Sequence, residues 1–145
     1  MFLLAIYISV AIGVSFICSV LEAVLLSITP SYLAQLRQQG HPAANRLAGL
    51  KADIDRPLAS ILTLNTIAHT IGAATAGAQA AVVFGSQWLG LFSAVLTLGI
   101  LVLSEILPKT IGATYWRELA PPSLSRAALD GMGADAIRLV LRADH

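Results

Sequence analysis

Three ionisable side chains stand in stretches otherwise too apolar to hold them: Glu22, His69 and Glu105. A carboxylate or imidazole at membrane depth is costly, so each of them needs a partner, a proton or an ion. Glu105 lies in Ser104-Glu105-Ile106-Leu107-Pro108-Lys109, where Pro108 lacks the backbone N–H that would bond back to Ser104. The Ser104 carbonyl is then available to a cavity or an ion, and Lys109 returns the helix to water within about one turn of Glu105. Ser15, Ser19 and Glu22 follow one another at spacings of four and three, which puts them on one helical face. Asn65 and His69 are one turn apart, with Thr66 and Thr70 beside them. Hydroxyl, amide and carboxylate oxygens gathered in this way suit a hard cation such as Mg²⁺ or Na⁺. One histidine at this depth, with no thiol cluster near it, argues against a dedicated zinc site.

Enzymatic chemistry fits the same residues less well. Glutamate with histidine offers an acid and a base, and serine with histidine a nucleophile and its activator. Yet no serine lies in a Gly-x-Ser-x-Gly elbow, and no His-Glu-x-x-His motif occurs. The chain is expected not to be an enzyme and to need no organic cofactor.

The elements that must position these residues follow from composition. The 145 residues are 57% apolar and 12% charged, with a mean hydropathy of +0.78. Such a chain has too little polar surface to face water on all sides, so an all-α integral membrane protein is expected. A net charge of +1, with neither a basic run nor an aromatic stacking platform, gives no reason to expect nucleic acid as a partner. Cys18, the single cysteine, excludes an internal disulfide and reads as a small packing residue. All nine Lys and Arg fall within 31–56 and 109–145.

Residues 2–28 predict a first transmembrane helix. No basic segment precedes the apolar run and Glu22 interrupts it, which speaks against a cleaved signal peptide. Leu3, Leu4, Ile6 and Ile8 are expected to face lipid. The segment 31–56 keeps apolar spacing at Leu33, Leu36, Leu47 and Leu50 around Gly40-His41-Pro42, and predicts two short amphipathic juxtamembrane helices on the membrane surface, with His41 solvated. Asp55 before Pro57 reads as an N-cap. The apolar stretch beyond it is long enough for two passes, at about 57–82 and 88–112, joined through Phe84-Gly85-Ser86-Gln87. Three transmembrane helices put both basic blocks on one side, the cytoplasmic one, and the N-terminus outside. Gly72, Ala73, Ala74, Ala76, Gly77, Ala78, Ala80 and Ala81 make the second span small enough for close helix contact. Residues 121–145 predict a cytoplasmic or membrane-surface tail, read equally well as an amphipathic segment or as a frayed end.

Ser19-x-x-Glu22, Leu62-Thr63-Leu64-Asn65 and Glu105-Ile106-Leu107-Pro108-Lys109 resemble, in order and spacing, the transmembrane domain of the CorC/CNNM (cyclin M) magnesium-transporter family. The resemblance covers about residues 1–120. It implies a multi-pass homodimer in the plasma membrane that moves Mg²⁺, with export coupled to Na⁺ entry. It implies Ser19, Asn65 and Glu105 as metal ligands, with Glu22 supporting and Pro108 keeping the helix broken; Thr66, His69 and Ser104, polar residues beside these positions, are expected to support the site as well. The chain departs from the family pattern at Leu21, Ala23, Leu64, Thr66 and His69, and a histidine nitrogen favours Co²⁺ or similar ions. The CBS-domain pair and CorC domain common in the family are not among these residues. A membrane scaffold or partner subunit that has lost transport is the alternative.

Overall fold

A computed structural model describes residues 1–124, whose regular elements are all helical. Helix α1 (Phe2–Ser27) is followed by two short helices, α2 (Pro30–Gln38) and α3 (Ala44–Ala52), and then by the long α4 (Asp55–Phe84). A 3₁₀ turn at Ser86–Trp88 leads into α5 (Leu89–Ile100), a π-helical stretch at Leu101–Ile106, α6 (Leu107–Thr114) and α7 (Trp116–Ser123). Three runs are long and apolar enough to cross a membrane: α1, α4 and Ser86–Thr114. At about 1.5 Å per residue the shortest spans roughly 39 Å, against a hydrocarbon core of about 30 Å.

α1 is the axis of the assembly. α4 runs antiparallel along it, as the order of contacts shows. Leu4 shares a buried cluster with Ala76 and Ala80, Ala11 lies against Gly72, and Ser15 meets Asn65. The third run is parallel to α1, with Ser19 opposite Ser104, Glu22 opposite Lys109, and Val20 and Ala23 opposite Gly112. Small residues make the first approach close: Gly72, Ala76 and Ala80 lie on the buried stripe of α4, whereas Ala73, Ala74 and Ala78 are exposed on its other side. Leu4 is therefore a packing residue at 5% exposure and not a lipid contact, because only a large side chain fills the space that the alanines leave. Leu3 and Ile6 remain exposed, as do Leu91, Val95 and Leu98 on α5.

The ends of the elements follow local chemistry. Thr29 caps α2, its hydroxyl accepting from Tyr32 N–H, with Pro30 at the first helical position where its missing donor costs nothing. Gly85 closes α4 at φ +82°, a backbone value that only glycine adopts cheaply, and so permits the tight return into the third run. Asp55 is not a cap: α4 begins at Asp55 itself after Ile54, and the carboxylate acts instead in the first turn, where it complements the helix dipole. His41 is also more than a solvated loop residue, since its Nδ1 accepts from Ala43 N–H and shapes the turn into α3.

The short helices pack on protein. Leu36 on α2, Leu47 on α3, Ala120 on α7 and Leu124 join Cys18, Leu21, Val24, Leu25 and Ile61 in one buried cluster. Lys51 reaches from α3 to the Leu25 and Leu26 carbonyls at 3.4 and 3.3 Å, favourably placed at the C-terminal end of the α1 dipole. Tyr32 donates its hydroxyl to the Arg117 carbonyl at 2.7 Å and stacks edge-on with Trp116 at 4.9 Å, while the Arg117 guanidinium lies 5.3 Å from the Trp116 ring. These contacts bring the 31–56 block to the same end as Lys109 and Arg117, the end that the positive-inside rule expects to be cytoplasmic. The reading of the tail beyond residue 124 lies outside the described residues.

Burial pushes the Tyr32 phenol above its ordinary pKa, with the Arg117 charge opposing. The neutral phenol is thus the form the fold favours. Its contribution is complete below the unfolded value of about 10 and is lost as pH rises through the higher folded value. Tyr32→Phe should cost about 0.5–1 kcal/mol in denaturant unfolding near neutral pH and remove that alkaline component. Unchanged stability across pH 8–11 in both proteins would refute the assignment.

Candidate cation site

The ionisable and hydroxyl side chains singled out at membrane depth converge along α1. Ser15, Ser19 and Ser104 are fully buried and Asn65 is 8% exposed. Ser15 Oγ donates to Asn65 Oδ1 at 2.6 Å, Ser19 Oγ to the Ser104 carbonyl at 2.6 Å, and Ser104 Oγ to the Ile100 carbonyl at 2.6 Å. Each hydroxyl has spent its one proton on an acceptor that cannot donate, so its remaining capacity is lone pairs.

His69 is the hub. Its Nε2 lies 2.5 Å from Ser15 Oγ and 3.3 Å from Ser104 Oγ. Both hydroxyls are already committed as donors elsewhere, so Nε2 carries the proton and donates to them. Nδ1 then faces Glu105 Oε1 at 3.5 Å. Ser15, His69 and Glu105 have the order of contacts of a hydrolytic triad, but the Ser15 proton goes to Asn65 and not to the imidazole, and Ser15 is fully buried.

Glu105 and Ser104 sit in the π-helical stretch, where Leu107 N–H reaches back five residues to the Val102 carbonyl. Pro108 is the physical cause within the sequence, since it cannot donate and its ring clashes with an α-helical carbonyl one turn earlier. The expected break is therefore a widening: the chain stays helical through α6, and Pro108 is itself fully buried. The Ser104 carbonyl that the proline was expected to free accepts the Ser19 hydroxyl.

Ser19, Asn65, His69, Ser104 and Glu105 thus form one connected cluster, and Ser15 belongs to it although the family motif begins only at Ser19. The four-residue spacing from Ser15 to Ser19 was the signal for it. Thr66 lies elsewhere: it is exposed and its hydroxyl bonds to Leu62 O of its own helix at 2.9 Å, because one residue past Asn65 the helix has turned about 100°. Glu22 is held apart by Lys109, whose Nζ lies 3.2 Å from Oε2. Among the described residues no three His, Cys, Asp or Glu come together as a metal-binding group. A cation at the cluster would rest chiefly on hydroxyl, amide and single-carboxylate oxygens.

Three crossing helices around buried polar side chains define a polytopic membrane domain with an internal polar site. The Cyclin M transmembrane N-terminal domain matches residues 6–125, and the chain belongs to that family. It is 40% identical over 104 residues to UPF0053 protein sll1254 of Synechocystis sp., covering 72% of this chain and 30% of that protein. Over 102 residues it is 28% identical to the UPF0053 inner membrane protein YfjD of Escherichia coli, covering 70% of this chain and 24% of the relative. A DUF21 domain-containing chloroplastic protein of Arabidopsis thaliana, At1g55930, is 27% identical over 112 residues, with 77% of this chain and 17% of the relative covered. The chain spans less than a third of the length of these relatives. No solved structure matches it.

Proposed function

We propose that this domain carries a divalent cation across the membrane through the cluster of Ser15, Ser19, Asn65, Ser104 and Glu105. The supporting observation is the convergence of oxygen donors from three helices at membrane depth, with the only carboxylate placed in a π-helical stretch. Mg²⁺ is the ion that the family resemblance favours, with Na⁺ as the counter-ion for export, and the reading is of a transporter and not an enzyme. A homodimer in the plasma membrane completes it, supported by the exposed small face of α4. In that reading an arriving cation displaces these hydrogen bonds, with the hydroxyls keeping their protons: Asn65 Oδ1 and the serine oxygens turn lone pairs to the ion, and His69 moves off Glu105.

Purified protein titrated with Mg²⁺, Co²⁺ and Na⁺ should melt at higher temperature with the divalent ions, and Asn65→Ala should weaken that response about tenfold or more. Equal responses of both proteins would remove Asn65 from the site. His69 bears on selectivity. An imidazole nitrogen beside Glu105 favours Co²⁺ over Mg²⁺ relative to an all-oxygen site, so His69→Asn should shift the Co²⁺/Mg²⁺ affinity ratio towards Mg²⁺ by about tenfold. Competition binding measures this, and an unchanged ratio would leave His69 a packing residue.

One observation favours a second reading, a scaffold or partner subunit that does not transport. The donors satisfy one another without an ion, as a purely structural interhelical network would. Cation flux into proteoliposomes decides between them: flux sensitive to Asn65→Ala supports transport, and none, together with a stable hetero-complex, supports the scaffold.

A further inference from the structure

Glu22 is the ionisable side chain at membrane depth that the cluster leaves unused. It lies one turn after Ser19 on α1, and Lys109 lies one turn after Glu105 on α6. Because these segments run parallel, the Glu22–Lys109 pair forms the next layer towards the basic, cytoplasmic end. The layer rests on fixed backbone, since Gly112 lies against Val20 and Ala23 on the adjoining turn. The two partners differ in access. The Glu22 side chain is 14% exposed and that of Lys109 43%. Moreover, Glu22 Oε2 is buried and receives no hydrogen bond, although the ammonium lies 3.2 Å away. The pair is thus held by charge and not by a directed bond, and a small cation can replace the ammonium without stranding a hydrogen bond.

The geometry points to Glu22 as a second cation-accepting carboxylate on the cytoplasmic side of Glu105, occupied in this conformation by the Lys109 ammonium as a tethered cation. A buried carboxylate is expensive without a counter-charge. Lysine is a compact charge on a flexible stem, so it can swing to water while Glu22 cannot follow it. Release of Lys109 and arrival of a cation are therefore one exchange, in which the ammonium keeps the carboxylate neutralised until an ion takes its place. The device closes the cytoplasmic end of the site whenever no ion is present. This inference depends on the proposed function only for the identity of the ion.

The test uses the chain's two lysines. The full chain in detergent is acylated with a soluble N-hydroxysuccinimide ester over a Mg²⁺ titration, with labelling at each lysine read by mass spectrometry beside the melting temperature. Lys109 labelling should rise about threefold with Mg²⁺ as the ammonium is displaced. Lys51, held by the Leu25 and Leu26 carbonyls, should not change and serves as reference. In Glu22→Gln, Lys109 should label fast without Mg²⁺ and ignore the ion. In Glu105→Gln the thermal response should shrink to the part contributed at Glu22 while the Mg²⁺ dependence of Lys109 persists. A wild-type protein that is stabilised by Mg²⁺ with no change at Lys109 overturns the inference and leaves the proposed function standing. A change at Lys109 with the same thermal response in the parent and in Glu105→Gln supports the inference and removes the site at Glu105, and no response in either readout overturns both.

Discussion

Glu105→Gln is expected to remove most of the Mg²⁺-dependent rise in melting temperature and to lower cation affinity at the cluster by at least about a hundredfold, or roughly 2.7 kcal/mol. The size follows from charge. The other oxygens of the cluster are neutral, so the carboxylate supplies the only formal negative charge facing a divalent ion in a medium that screens poorly. Gln preserves volume and can offer its amide N–H to His69 Nδ1, so helix content and ion-free melting should stay close to those of the parent. That separates loss of a ligand from loss of fold. A variant that still binds Mg²⁺ within tenfold of the parent would remove Glu105 from the site.

Gly112→Val should have a large effect on the fold, although it alters no donor. A Cβ at this position would stand 2.8 Å from Ala23 Cβ and 2.9 Å from the Val20 carbonyl oxygen. The first is a methyl with nowhere to go and the second is helix backbone, so α1 and α6 must separate. Overpacking of this kind costs about 1–3 kcal/mol or more. Separation also draws Ser19 from the Ser104 carbonyl and Glu22 from Lys109, so the Mg²⁺ response should fall with stability. Gly77→Ala is the control: nothing lies within 4 Å of a Cβ there, and the change should be neutral or slightly stabilising. Detergent melting and yield of monodisperse protein measure both, and a Gly112→Val protein as stable as the parent would show that α1 and α6 do not need this approach.

Much of the architecture was legible in the residues. Long uncharged runs read as spans because nothing else can satisfy backbone polar groups in lipid. The segregation of Lys and Arg told how many times the chain crosses, and the structure brings the 31–56 block to the same end as Lys109 and Arg117 through Tyr32 and Arg117. Helical spacing aligned Ser15, Ser19 and Glu22, and all three do face protein. Less legible were the roles of individual side chains. Asp55 looked like a cap and is a first-turn residue, and Leu4 looked lipid-facing and is buried. Short apolar stripes on α2 and α3 suggested juxtamembrane helices, and what they did not disclose is that Leu36 and Leu47 share one buried cluster with residues of α1 and α4.

The sequence by itself determined the class of molecule, three spans with polar side chains inside them, because hydropathy and periodicity are local properties that each stretch carries with it. The tertiary structure alone decided who partners whom. Thr66 turns away to Leu62, Glu22 is taken by Lys109, and Ser15 enters the cluster beside Asn65 and His69. These choices depend on the relative rotation and register of three helices. Close contacts at Gly72 and Gly112 set that register, and no residue discloses it alone.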